Sequence, residues 1–257
     1  MKTYNRREMI KIAGAAAAGM AVLGLPAAAQ GAETDPPAAQ GNRKALVIGA
    51  HPDDPETCCG GTIALLMKQG WEVVVVYLTR GEAGIAGKSH GEAAAIRTAE
   101  AEKSCQVLGC RHIFMNQVDG NTEVTLARYR EMKEMIEKEN PDVVFTHWPI
   151  DSHRDHQVCS ILVLDAWRRL DHSFELFYFE AMSGDQSQMF SPDTYVNIDS
   201  VAEIKHKSCN CHISQGMDDL YFWHNRMEQF RGIECHCDRA EAFLHHRWNN
   251  EISHLTK

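Results

Sequence analysis

Positive charge is scarce in this chain of 257 residues, which has 26 lysine and arginine residues, 35 aspartate and glutamate residues and a formal net charge of −9. Because contacts to phosphates drive nucleic-acid affinity, this balance argues against a nucleic-acid partner. Beyond residue 29 the chain also lacks any apolar run near the roughly 20 residues that a membrane-spanning helix needs. No internal repeat is evident, and the 44% of hydrophobic residues is enough for one sizeable core.

The first residues have the composition of an export signal. Four positive residues precede an apolar run over residues 12–25, after which Pro26 and three alanines offer a cleavage site. The stretch around Arg6 and Arg7 resembles a twin-arginine signal, although Asn5 stands where Ser or Thr is usual. An ordinary secretory signal or an uncleaved anchor is the alternative. We predict a bacterial protein of periplasmic or extracellular location with a twin-arginine export signal over residues 1–29, a flexible linker over 30–42 and one domain over 43–257.

The nine cysteines do not follow the spacing of a small disulfide scaffold, and their odd number leaves at least one unpaired. Two close pairs, Cys209 with Cys211 and Cys235 with Cys237, could form disulfides or together hold a structural metal ion. Their C-x-C spacing is tighter than that usual for zinc ligands. We therefore interpret most of the cysteines as unpaired small core residues.

Continuous apolar segments alternate with helical ones up to residue 179, a pattern typical of a parallel sheet covered on both faces. Strands are predicted over 44–50, 72–79, 111–115, 141–147 and 174–179, and helices over 55–69, 92–108, 122–139 and 155–170. The rest of the chain is predicted to hold an extended stretch at 195–198, a helix near 200–212 and a final helix at 238–247. The fold class is therefore α/β, with a Rossmann-like, doubly wound and mainly parallel sheet in a single domain with a C-terminal cap.

Two clusters of histidine and aspartate follow predicted strands. Residues 51–54, His-Pro-Asp-Asp, come directly after the first strand, and residues 151–156, Asp-Ser-His-Arg-Asp-His, come after the fourth. In such sheets the ligand crevice lies beyond the carboxyl ends of the strands. We therefore expect both clusters to face one crevice, although about 100 positions separate them in the chain.

The residue types in these clusters suit a catalytic metal site. His51, Asp54 and His156 would give zinc three protein ligands and leave a position for water. Asp53 would then be a free carboxylate beside the metal, able to take a proton from that water. His153, one helical turn before His156, is expected to lie over the same site without binding the metal. The alternative is a set of surface-loop residues with satisfied hydrogen bonds, which two clusters at two strand ends disfavour.

The segments Gly49-Ala50 and Gly60-Gly61 raise a second alternative, a dinucleotide-binding turn. The G-x-G-x-x-G motif has to follow the first strand directly, whereas His-Pro-Asp-Asp occupies that turn here. The adjacent carboxylates would also repel a pyrophosphate. We therefore reject a dinucleotide site.

The same segments resemble the PIG-L/LmbE-like deacetylases. The most specific match is residues 50–56, Ala-His-Pro-Asp-Asp-Pro-Glu, followed by residues 59–64, Cys-Gly-Gly-Thr-Ile-Ala. Weaker matches, in the order that the family shows, lie at residues 78–84, 97–100, 108–109, 153–156, 205–215 and 240–243. Together the matches extend over about residues 44–247.

This resemblance implies a zinc enzyme that deacetylates molecules containing N-acetylglucosamine, among them glycolipid anchor precursors and intermediates of low-molecular-weight thiols. It implies that His51, Asp54 and His156 bind the metal and that Asp53 is the general base. It also implies that His153 stabilises the tetrahedral intermediate, and we expect that ring to be protonated.

Further site residues rest on the resemblance alone. It places Glu82, Arg97 and Asp119 at the substrate pocket, although loop caps and surface ion pairs explain these residues equally well. The aromatic residues at 221–230 are interpreted as core or pocket wall, with a sugar-stacking platform as the alternative.

We therefore predict a zinc-dependent hydrolase that removes an N-acetyl group from an N-acetylglucosamine-type amino sugar or glycoconjugate, with another divalent metal such as Fe²⁺ as an alternative cofactor. The export signal disfavours the thiol intermediates, because those members of the family act in the cytoplasm. The alternatives are an amidase of the same fold acting on another N-acyl or thiol-conjugate substrate, and a non-catalytic carbohydrate-binding protein. The expected partner is a small-molecule or glycan substrate.

Overall fold

The computed structural model describes residues 43–247. The predicted export signal and linker lie outside the described residues, so they stay predictions. The strands are β1 Lys44–Gly49, β2 Glu72–Tyr77, β3 Arg111–Phe114, β4 Val143–His147, β5 Glu175–Phe179, β6 Thr194–Asn197 and β7 Ala240–His246. The α-helices are α1 Asp54–Lys68, α2 His90–Leu108, α3 Leu126–Glu139, α4 Arg154–Arg169, α5 Ala202–Cys209 and α6 Met217–Cys235.

The seven strands form one sheet in the order β3-β2-β1-β4-β5-β7-β6. Strands β1 to β5 are parallel, and β7 pairs antiparallel with both β5 and β6. The chain moves outward from β1 through β2 and β3 and then returns to β4 on the other side of β1. This reversal makes the gap between β1 and β4 the topological switch point, where a ligand crevice is expected. The prediction of a mainly parallel α/β domain is confirmed.

Both faces of the sheet are buried, as the continuous apolar strands predict. Alternate residues of β1 belong to different cores: Ala45 and Val47 pack with α1 and α2, whereas Leu46 and Ile48 pack with α3 and α4. The sheet is thus a rigid layer between two helical layers, and its carboxyl edge holds the loops that follow β1 and β4.

The sequence prediction is wrong at the C-terminal end. Residues 238–247 were predicted as a helix, but most of them form β7, which lies between β5 and β6. Buried Phe243 packs against Phe145 of β4 and Phe177 of β5, at ring-centroid distances of 5.0 and 6.5 Å. This packing outweighs the helix-like local pattern. The C-terminal part therefore extends the sheet as well as capping it.

Helix α6 was not predicted, although it has 19 residues. Its apolar side chains do not form one buried stripe, since Phe222, Trp223, Phe230 and Ile233 are all exposed by 49% or more. An amphipathic stripe is the main helix signal in a sequence, and the sequence of α6 does not contain a clear one. Within residues 43–247 no helix combines the length and apolar character needed to cross a membrane.

All nine cysteines are free thiols. Six of them are buried, as expected for small core residues: Cys58, Cys59, Cys105, Cys159, Cys209 and Cys211. Among the described residues, neither close pair near the C-terminus belongs to a group able to hold a metal ion.

Candidate metal centre

The two sequence clusters meet at the switch point, because β1 and β4 are neighbours in the sheet. His51 and Asp53 lie in the turn between β1 and α1, and Asp54 is the first residue of α1. His153 is the N-cap of α4, and His156 lies in the first turn of that helix. The structure therefore brings together all five residues predicted for the metal and the chemistry.

Asp54 is the centre of the cluster. One of its oxygens, Oδ2, lies 3.3 Å from His51 Nδ1, and the other, Oδ1, lies 3.4 Å from His156 Nε2. Asp54 Oδ2 also accepts a hydrogen bond from the backbone N–H of His51 at 2.7 Å, which fixes the carboxylate in the turn. All three residues are at least 92% buried.

The far ring nitrogens of both histidines face other carboxylates. His51 Nε2 lies 3.1 Å from Asp155 and 3.2 Å from Asp119, and His156 Nδ1 lies 3.2 Å from Asp151. A histidine that binds a metal through one nitrogen usually donates the other N–H to such a partner, which fixes the tautomer. The near nitrogens are thereby left to face Asp54. This donor set fits a divalent cation.

Sequence reasoning missed the role of His147, the last residue of β4. Its ring is fully buried, lies 3.1 Å from Asp54 Oδ2 and stacks on His156 at a centroid distance of 3.9 Å. His147 Nε2 also lies 3.1 Å from the backbone nitrogen of Ala50. The sequence did contain a signal for His147, namely a histidine at the end of a buried strand and close to the second cluster. Within residues 43–247, three overlapping groups could hold a metal ion: His51, His153 and His156; Asp54, His147 and His156; and His51, Asp119 and Asp155.

Excess negative charge around the cluster is balanced by protons on histidine. Burial lowers the pKa of His156, but the charge of Asp54 and the contact with Asp151 outweigh burial and raise this pKa to about 9. Burial likewise lowers the pKa of His51, yet hydrogen bonds to acidic neighbours hold it well above its ordinary value. The site therefore attracts positive charge, which a bound cation would supply in place of protons.

Asp53 is held apart from Asp54 by an unusual backbone conformation. Its φ is 113°, in a region that side-chain-bearing residues rarely adopt, and strain of this kind clusters at functional sites. Arg97 donates to the carbonyl oxygen of Pro52 and, at 3.1 Å, to Asp53 Oδ2. Burial raises the pKa of Asp53 to about 6 although Arg97 opposes this shift. Asp53 is therefore a carboxylate that titrates close to neutral pH.

His153 differs from the expected protonated ring. Burial and the neighbouring rings of His51 and His156 lower its pKa, so it is neutral near pH 7. Its Nδ1 accepts the backbone N–H of Asp155 at 3.3 Å as the cap of α4. The neutral ring therefore carries its hydrogen on Nε2, and it can donate a hydrogen bond into the cavity that it lines.

Of the three residues that the resemblance places at the substrate pocket, two line the cavity and the third holds a loop. Arg97 and Asp119 line the cavity together with the metal cluster, and Arg97 is 97% buried. Glu82 instead caps a loop, because its carboxylate accepts the backbone N–H groups of Arg80 and Asp119 at 3.2 and 3.1 Å. The sequence could not separate these roles.

The cavity above the cluster has a volume of about 460 Å³, within the range of small-molecule sites. It is lined by the turn after β1, the first turn of α4 and the loops at residues 83–84 and 119–120. Glycine is required at Gly81 and Gly84, because a Cβ atom at either position would collide with Arg97. Gln215, Met217 and His224 line it from the C-terminal region.

Comparison with known proteins supports one family. Residues 46–167 match the family described as PIG-L: GlcNAc-PI de-N-acetylase. Over 203 residues the chain is 31% identical to the diacetylchitobiose deacetylase of Thermococcus kodakarensis, covering 70% of this chain and 72% of that protein. The chain belongs to the PIG-L family.

Two further proteins, one a sequence relative and one a solved structure, resemble this PIG-L protein. A 4-oxalmesaconate hydratase from Pseudomonas putida is 24% identical, with 75% of this chain and 81% of that protein covered. The structure of N,N'-diacetylchitobiose deacetylase from Pyrococcus horikoshii has the same fold, with a TM-score of 0.72 at 24% identity and coverage of 83% and 88%. The protein is therefore an enzyme of a deacetylase family, and its buried His/Asp cluster is a candidate site for a divalent metal.

Proposed function

We propose that this protein is a zinc-dependent hydrolase that removes the N-acetyl group from an N-acetylglucosamine-type sugar or glycoconjugate. The observation that carries the proposal is the cluster at the switch point, where His51, Asp54 and His156 converge beside the carboxylate of Asp53, which contacts Arg97 rather than these residues. The name of the Thermococcus kodakarensis relative supports the amino-sugar substrate. The predicted periplasmic or extracellular location stays part of the proposal.

The side chains have separate roles in this proposal. His51, Asp54 and His156 would hold zinc, which supplies a Lewis acid and lowers the pKa of a bound water toward about 7. Asp53 takes a proton from the attacking water and returns it to the leaving amine nitrogen, for which a pKa of about 6 is suitable. His153 donates its Nε2–H to the amide oxygen as negative charge develops there. Water and the amide thus give acetate and a free amine.

An acetate-release assay tests the reaction class. We expect the purified, zinc-loaded protein to release one acetate for each free amine formed from N-acetylglucosamine glycosides. An N-acylated thiol conjugate in the same panel tests the alternative amidase. With 4-oxalmesaconate added to the panel, loss of its carbon–carbon double bond without acetate release from any sugar would instead indicate a hydratase like the Pseudomonas putida relative. Binding of sugars without turnover would favour the carbohydrate-binding alternative.

Zinc affinity is expected to depend on pH. The pKa of His156 is raised to about 9 in the metal-free protein, and a cation can bind only the deprotonated ring. The apparent dissociation constant should therefore fall by about tenfold per pH unit for each proton displaced as the pH rises from about 7, and level off above about 9. Competition with a chromophoric chelator measures this dependence. A flat profile over this range would contradict the displacement of a proton.

A further inference from the structure

A second and larger cavity adjoins the metal cavity. It has a volume of about 880 Å³ and shares Met182 with the first. Five side chains of α6 form one wall at the spacing of a single helix face: Trp223, Arg226, Met227, Phe230 and Arg231. The loop at residues 180–185 forms the opposite wall. We call this space the apolar cavity.

The walls of the apolar cavity are mainly hydrophobic, although Ser183, Asp185 and Arg226 also line it. Trp223 and Phe230 are 52% and 53% exposed, which is unusual for such large apolar side chains. Arg231 binds Glu180 through two hydrogen bonds of 2.7 and 2.8 Å, so both charges are already paired. The guanidinium of Arg226 lies over the Trp223 ring at 5.5 Å. The α6 wall therefore offers a ligand mainly hydrophobic contact.

The loop that separates the two cavities is connected to the metal centre by hydrogen bonds. Ser187 Oγ donates to Asp151 Oδ2 at 3.0 Å and accepts the backbone N–H of Ala181 at 2.8 Å. Asp151 also contacts His156, so the loop that carries Met182 is tied to the same carboxylate as a candidate metal ligand. Met182, which lines both cavities, is therefore carried by a loop that is held at the metal centre.

We propose that the apolar cavity binds an alkyl or aryl group attached to the amino sugar, so that the substrate is a hydrophobic glycoside rather than a free sugar. This proposal rests on the proposed deacetylase function. The shared lining residue Met182 and the mainly hydrophobic walls favour this occupant over a second sugar ring. A second copy of the chain against α6 is the other alternative.

The test compares methyl and hexyl glycosides of N-acetylglucosamine, in both anomers, with N,N'-diacetylchitobiose as substrates of the zinc-loaded protein. Hydrophobic contacts of this size are worth about ten- to a hundredfold, so kcat/KM for the better hexyl anomer should exceed that for its methyl counterpart by that factor. The ratio should fall toward one in Trp223→Ala and Phe230→Ala. It should be unchanged in Ile233→Ala, a matched control that is 72% exposed on α6 but does not line the cavity.

Other outcomes would overturn the proposal. Equal values for methyl and hexyl glycosides would exclude an apolar subsite, and a gain for N,N'-diacetylchitobiose alone would indicate a second sugar. A dimer in light scattering that Trp223→Ala dissociates would make this face an interface between copies.

Calorimetry separates failure of the subsite from failure of the proposed function. Hexyl glucoside, which has no acetamide, should bind the wild-type protein more tightly than Trp223→Ala even if no sugar is deacetylated. Undetectable binding of hexyl glucoside would overturn the subsite whatever the reaction is.

Discussion

Replacing Asp53 with asparagine should lower kcat by about 10²–10⁴, the usual value of general acid–base catalysis, while zinc content and KM change little. The substitution keeps the size of the side chain and removes its basicity. Asp53 contacts Arg97 rather than the histidines, so a neutral amide should leave the metal cluster in place. Turnover by rapid mixing and metal content by atomic absorption measure the two effects.

The acidic limb of the pH–rate profile gives a second readout for Asp53. Its pKa is about 6, raised mainly by burial, so the base is active above that pH and lost as the pH falls below it. This limb should vanish or move in Asp53→Asn. The matched control is Asp54→Asn, which should lose zinc because Asp54 contacts both His51 and His156. If Asp53→Asn loses the metal and Asp54→Asn retains it, the two roles are exchanged.

Replacing His156 with alanine should remove most of the bound zinc and reduce acetate release to background. Its Nε2 faces Asp54 at 3.4 Å, and its Nδ1 lies 3.2 Å from Asp151. Loss of this ring removes one of three proposed ligands and leaves Asp151 without its histidine partner. The sheet should remain folded, because its two cores do not include His156. Circular dichroism and metal analysis distinguish these effects.

The neighbouring His147 gives the matched comparison. It contacts the same carboxylate, and with Asp54 and His156 it forms an alternative ligand group. However, its Nε2 also lies 3.1 Å from the backbone nitrogen of Ala50, so this ring nitrogen also contacts the backbone directly after β1. We expect His147→Gln to keep at least half of the zinc, whereas His51→Ala should lose most of it. The reverse result would assign the third ligand to His147.

The sequence by itself determined the parallel part of the fold and the place of the site. Apolar strands buried on both faces have a continuous pattern that is readable without a structure, as β1, β2 and β4 show. The two His/Asp clusters lie in the loops that follow β1 and β4. Since parallel strands end at the same edge of a sheet, both clusters were expected at that edge, and the strand order then placed β1 beside β4.

Only the tertiary structure decided the features that depend on contacts distant in sequence. Strand β7 is a strand because Phe243 packs between Phe145 and Phe177, and its local sequence did not predict this. The neutral state of His153 follows from its burial beside His51 and His156, because nearby rings in a region of low dielectric disfavour a further proton. Residues scattered along the chain, such as Met182 and Trp223, line one cavity only after the sheet has positioned their loop and helix.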